Sequence, residues 1–359
     1  MTFDRNAFRL VAIVLILAVA AVGMALSWIF YAPNKFADQS EKSIYISRGQ
    51  SFASLVDSLE THGIIRSRPL FVFVAKVLGG EKRIRVGKYV FGSGISNISL
   101  FHALRDGSDV AYIPVTIREG IRSQIQGQIF AHAIGIDSAR YVELVHDELF
   151  VRSLGIDAPS LEGYLLPETY NLQWQLDEKD VIRRQVDQFK RVYNDSLQTR
   201  AKELGWTTNQ VLTLASIVEG EAVLASERPI IACVYHNRLR KGMRLEADPT
   251  VQYMLEGGPR RVRYSDLKTD SPYNTYLHAG LPPGPINSPG KASVLAALYP
   301  ARHDYLYFVA NGRGGHWFSS TYAEHSHYVR MYRRQRAQGL VNSITQVGPR
   351  KRVTSDLRR

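Results

Sequence analysis

Two short stretches carry the residues best suited to chemistry. Thr213–Ala222 (TLASIVEGEA) places Glu219 at the end of an apolar run with helical spacing, and Leu161–Tyr170 (LEGYLLPETY) supplies a loop of carboxylates and aromatic rings. A carboxylate delivered on an apolar helix loses hydration. That loss favours the protonated form and makes the group a candidate proton donor at neutral pH. Protonation of a leaving oxygen is what glycosidic-bond cleavage requires. Glu219 shares a helix face with Ser216 and Ala215, three and four residues back, and these small neighbours leave room for a substrate. If Gly220 ends or loosens the helix, Glu219 also lies beside the negative end of the helix dipole, which disfavours its ionised form. Glu221 is the competitor, on the face of Ile217 and Val218, and helix geometry alone does not choose between the two.

Other segments offer groups suited to a sugar. Val234–Tyr253 (VYHNRLRKGMRLEADPTVQY) combines Asn237, Arg238, Asp248 and Pro249. Ser271–Gly290 (SPYNTYLHAGLPPGPINSPG) is too rich in Pro and Gly for a core element, yet carries Tyr273, Asn274, Tyr276 and His278. Rings stack on the C–H face of a sugar while amides bond its hydroxyl and N-acetyl groups. The stretch Tyr273–Ile286, stiffened by Pro282 and Pro283, is expected beside Glu219. Glu162, Tyr164, Glu221, Asn237, Arg238, Asp248, Asn274, Tyr276 and His316 are the candidate substrate-binding residues. His303, His316, His325 and His327 form no convincing ligand pattern, so neither metal nor cofactor is expected.

The elements that must position these groups read as α+β. Thr207 and Gln210 fit a capping box ahead of a helix over Thr208–Val223. Helical patterns also cover Ile121–Ala133, Ala139–Leu154 and Asp177–Leu204. Asp266–Pro300 reads as loop, and Tyr305–Ala310 as a buried strand before a glycine turn. Upstream, the order is strand (Ser43–Ile46), helix (from Phe52, with Ser51 as N-cap and Gly63 as stop), helix (Leu70–Leu78) and strand (Arg85–Phe91). This small α+β unit, residues 32–115, resembles a LysM-like module. A strand over Asp109–Ile117 leads into a second, catalytic domain over 116–330, and a basic, disordered tail is expected over 331–359.

The chain has 45 Lys+Arg against 33 Asp+Glu, a net charge of +12 in 359 residues. Residues 330–359 hold nine basic residues and one acid, so +8 of that charge belongs to the tail. No recognition motif accompanies it, and a nucleic-acid partner is not expected. Cys233, the one cysteine, lies in an apolar run and reads as a buried thiol, with no internal disulfide possible. Val11–Tyr31 is 21 residues without a charge, enough to span a bilayer, with Trp28, Phe30 and Tyr31 at its far end. Arg5 and Arg9 precede it. The expectation is an uncleaved anchor, a cytoplasmic N-terminus over residues 1–10, and an exported body at the inner membrane.

Taken together, LEGYLLPETY, LASIVEGEA, NRLRKGMRLEADPTVQY, SPYNTYLHAGLPPGPI and YLYFVANGRGGHWF resemble the YceG-like family of endolytic murein transglycosylases. The resemblance spans Leu161–Phe318, and the anchor and LysM-like unit suit the same layout. It implies non-hydrolytic cleavage of the MurNAc-β-1,4-GlcNAc bond of peptidoglycan strands, with 1,6-anhydro-MurNAc ends. The first Glu of the helix motif, Glu219, is then the catalytic acid, and peptidoglycan synthases (penicillin-binding proteins) are candidate partners. Gly220 departs from the pattern, where a bulkier residue such as Lys is expected. Two alternatives stay open: a muramidase, with Glu162, Glu168 or Asp248 activating water, and a noncatalytic, membrane-anchored glycan binder.

Overall fold

The computed structural model describes residues 5–36, 40–80, 84–255 and 260–339. Among the described residues helix makes up 52% and the sheets are small, a mixed α+β architecture. Two compact units divide it: residues 1–115 with the short stretches 133–136 and 171–176, and the remainder from Thr116 onward.

The first unit opens with the apolar helix α1 (Arg5–Tyr31), followed by β1 (Pro33–Asn34), β2 (Lys42–Ile46), α2 (Phe52–Thr61), α3 (Arg68–Val77), β3 (Gly87–Phe91), β4 (Ile95–Ser96), α4 (Asn97–Asp106), β5 (Val110–Ala111) and β6 (Ile113–Thr116). Ser51 caps α2 by accepting from the Ser54 N–H, and Ser96 caps α4 in the same way through Ser99. Gly63 takes a positive φ just past α2, where a side chain would be strained. The antiparallel sheet β2–β3–β5 pairs Ile44 with Tyr89. Its inner face packs on Leu55, Val56, Leu59, Phe71, Phe101 and Leu104 of the three helices. The single strand expected over Asp109–Ile117 is split into β5 and β6.

The second unit contains α5 (Ser123–Ile134), α6 (Ser138–Val145), α7 (Glu148–Ser153), β7 (Thr169–Leu172), α8 (Glu178–Val192), α9 (Asp195–Glu203), α10 (Thr208–Glu221), α11 (Arg228–Arg240), α12 (Asp248–Met254), α13 (Lys291–Leu298), β8 (Tyr307–Ala310), β9 (His316–Ser319) and α14 (Tyr322–Ala337). Two long helical patterns are broken by caps. Asp147 starts α7 and Asn194 starts α9, each accepting backbone N–H groups that the preceding helix cannot satisfy. α10 begins with the expected capping box and is buried without interruption from Val211 to Val218. Its neighbours are α11, α12 and α13. The last of these lies inside the stretch expected to be loop. α14 continues to Ala337, into the first residues of the stretch expected as tail. Residues 340–359 fall outside the described ones.

Candidate functional site

Glu219 sits in the last turn of α10, and Gly220 does not end the helix, which runs on to Glu221. The Glu219 side chain is 8% exposed. Its Oε2 accepts from the Ser293 hydroxyl at 2.7 Å and from the Gly290 N–H at 3.2 Å, and its Oε1 accepts from Arg228 Nη2 at 3.2 Å. Gly290 is the N-cap of α13 and Ser293 lies in its first turn. The carboxylate therefore stands at the positive end of α13 while closing the negative end of its own helix.

Arg228 ties this arrangement to a second carboxylate. Its Nε donates to Ser293 Oγ at 3.0 Å, and its Nη2 lies 3.9 Å from Glu119 Oε2. Burial and the charge of Glu219 push the Glu119 carboxyl up, and Arg228 opposes them. Glycine makes the close approach possible. A Cβ on Gly290 would fall 1.9 Å from Glu119 Oε1, and one on Gly120 would touch Glu219 Cγ at 3.5 Å. The strand-like contact between Ile121 and Ser288, with Gly120 donating to Ser288 O, locks the two loops together. Neither Glu119, Arg228 nor Ser293 stands out in the sequence, since each acquires its neighbours only through folding.

Gly220 also has a steric reason. A Cβ there would lie 2.7 Å from Pro249 Cβ, so the departure from the family pattern lets the start of α12 approach α10. Two residues from Glu219, Glu221 faces another way. Tyr235 Oη donates to Glu221 Oε1 at 3.1 Å, and Tyr276 Oη donates to the neighbouring Asp248 at 2.7 Å. Burial, reinforced by the Asp248 charge, pushes the Glu221 carboxyl up to about 8.

The other candidate binding residues divide into those near α10 and those that hold the scaffold. Ile286 donates its N–H to Ser216 Oγ, Asn287 Nδ2 donates to Ser216 O, and Asn209 Nδ2 donates to Pro283 O. The end of the Pro-rich loop thus lies along the helix that carries Glu219. Asn274 is fully buried and works within the loop. It donates to Leu267 O and Thr269 O and accepts from the Tyr276 N–H, which leaves it no surface for a glycan in this conformation. Glu162, 1% exposed, accepts from the Ser123 N–H and hydroxyl at the start of α5. Tyr164 is core, edge-on to Phe189. Asn237 donates to His303 O and Tyr305 O, and Arg238 spans Leu306 O, Leu245 O and the Glu246 carboxylate. The His316 ring pairs with Glu227 at 2.7 Å. Cys233 is buried, with its thiol on His303 O.

Comparison with known proteins places the chain in a family. The YceG-like family profile matches residues 44–331. An endolytic murein transglycosylase of Bacillus subtilis is 31% identical over 299 residues, which cover 79% of this chain and 82% of that protein. One from Streptococcus pneumoniae is 26% identical over 80% of this chain, which spans only 57% of that relative. The crystal structure of a yceG-like protein from Listeria monocytogenes superposes with a TM-score of 0.57 at 30% identity, over 81% of this chain and 99% of that one. By family profile, relatives and fold alike, the chain belongs to the YceG-like family.

Proposed function

We propose that this protein is an endolytic murein transglycosylase whose acid and base are both Glu219. What carries the proposal is one carboxylate, almost buried, held at both oxygens at the meeting of α10 and α13. Protonated Glu219 donates to the O4 leaving atom of GlcNAc as the MurNAc C1–O bond breaks. The resulting carboxylate then takes the proton of the MurNAc C6 hydroxyl as that oxygen bonds C1. The ring closes to the 1,6-anhydro sugar, no water is consumed, and Glu219 is again protonated. Three donors reach Glu219: Ser293, Gly290 and Arg228. The same Arg228 nitrogen lies 3.9 Å from Glu119 Oε2, so the arginine sits between the two carboxylates.

The remaining assignments belong to the same proposal. α1 is an uncleaved anchor, with Arg5 and Arg9 on the cytoplasmic side and the body outside the inner membrane. The order β2–α2–α3–β3, with β2 and β3 as antiparallel neighbours, supports a LysM-like reading of the first unit. Nascent glycan strands are the substrate and peptidoglycan synthases the candidate partners. Glu221, Asp248 and Tyr276 form the polar cluster next along α10, suited to glycan hydroxyls. The deciding experiment is mass spectrometry of products from purified glycan strands. Anhydro ends are expected. Reducing ends would make the protein a muramidase, and an absence of products would make it a binder.

A further inference from the structure

The C-terminal end of α1 is built into the first unit rather than tethered to it. Asn97, at the start of α4, donates its Nδ2 to Ile29 O at 2.9 Å and accepts from Asn34 Nδ2 at 3.0 Å. Asn34 Oδ1 in turn accepts from the Arg66 N–H just ahead of α3. Both asparagines are buried, so this polar clamp is shielded from competing water. The Phe30 ring meets the Phe73 ring of α3 edge-on at 6.4 Å. α3 is thereby placed beside the point where the apolar span ends.

α3 turns Phe71, Val74 and Ala75 into the core. Its other face, at spacings of three and four, carries Pro69, Leu70, Phe73, Lys76 and Val77. Phe73 is 41% and Val77 57% exposed. Lys76 lies within this stripe and Arg66 stands at its N-terminal end, where Arg68 is already paired with Asp57. An apolar stripe flanked by cations is the composition of a helix lying in the headgroup region of a bilayer. In water it leaves much of Phe73 and Val77 uncovered.

We propose that α3 lies in the headgroup region of the bilayer face from which α1 emerges, with Phe73 and Val77 inserted and Arg66 and Lys76 facing anionic phospholipid. This rests on the reading of α1 as a membrane span. The test places a single environment-sensitive fluorophore at Val77→Cys, Phe73→Cys or Leu17→Cys, in a Cys233→Ala background. The full chain is reconstituted into nanodiscs containing phosphatidylglycerol. Labels at 77 and 73 should be blue-shifted, lose intensity with lipids nitroxide-labelled near the headgroup, and resist iodide in the water phase. The label at 17 should be quenched only by nitroxides deep in the acyl region. A label at 77 that iodide reaches and lipid nitroxides do not would overturn the proposal. So would one shielded from both, which would mean a protein surface covers α3. Because Phe73 touches Phe30, Val77 decides if the Phe73 variant fails to fold. A silent label at 17 would sink the anchor instead, and the two failures are thus separable.

Discussion

Glu219 owes its position to partners distant in sequence, and its chemistry should disappear with its proton. Glu219→Gln keeps the shape and the acceptor for Ser293 but cannot cycle a proton. Cleavage should fall by about 10²–10⁴, the usual contribution of an acid–base group, and the anhydro product peak reads it directly. Near-wild-type turnover would remove Glu219 from the mechanism. Glu221 should behave differently. Its carboxyl holds a proton in the folded state up to about pH 8, against an ordinary value of 4.5. The unfolded chain releases that proton earlier, so the group costs stability progressively as pH rises from 4.5 to 8. Glu221→Gln should therefore gain in melting temperature over wild type across that window, and an offset constant with pH would refute the burial argument. The sequence made Glu219 visible because an apolar helical run ending in an acid is a local pattern. Arg228 was hidden because its role depends on α11 folding back onto α10. Asn237 and Arg238 of α11 and Asn274 of the Pro-rich loop stood out as polar residues, yet they spend their hydrogen bonds on backbone carbonyls of neighbouring segments that would otherwise be left unpaired.

At the scale of elements, α10 was legible from its capping box and uninterrupted apolar run. α13 was not. KASVLAAL is short, follows Pro and Gly, and is buried at Ser293, Val294 and Ala296 through Leu298, so it lacks the polar face that marks a surface helix. The junction between α10 and α12 offers a sharp test. Gly220→Ala introduces a methyl group 2.7 Å from Pro249 Cβ, a ring with little freedom to move. It should cost about 1–3 kcal/mol as an overpacking substitution, measured by urea denaturation. A neutral result would show that α12 shifts freely. The Pro-rich loop makes a second test. Asn274→Ala strips two backbone carbonyls and the Tyr276 N–H of their partner, and should cost about 1–3 kcal/mol. Tyr276→Phe removes only a bond to the exposed Asp248 and should cost less.

For the whole molecule, the apolar span was the plainest feature of the sequence, because bilayer thickness sets a length that few core helices reach without a charge. The intact mass of membrane-extracted protein should include residues 1–31, and a mature chain beginning near Ser27–Ala32 would refute the anchor. The junction at Asn97 and Ile29 would give the proposed anchor a mechanical character. Only Ala32 and Pro33 separate Tyr31 from the buried Asn34, and two residues span only about 7 Å even when fully extended, so with α1 in a bilayer a pull on the first unit would reach the membrane almost at once. Load passes through a hydrogen bond and a ring contact instead of slack chain. The first unit should tumble as a stiff float with its span, and labels at positions 17 and 77 should report one shared rotational correlation time.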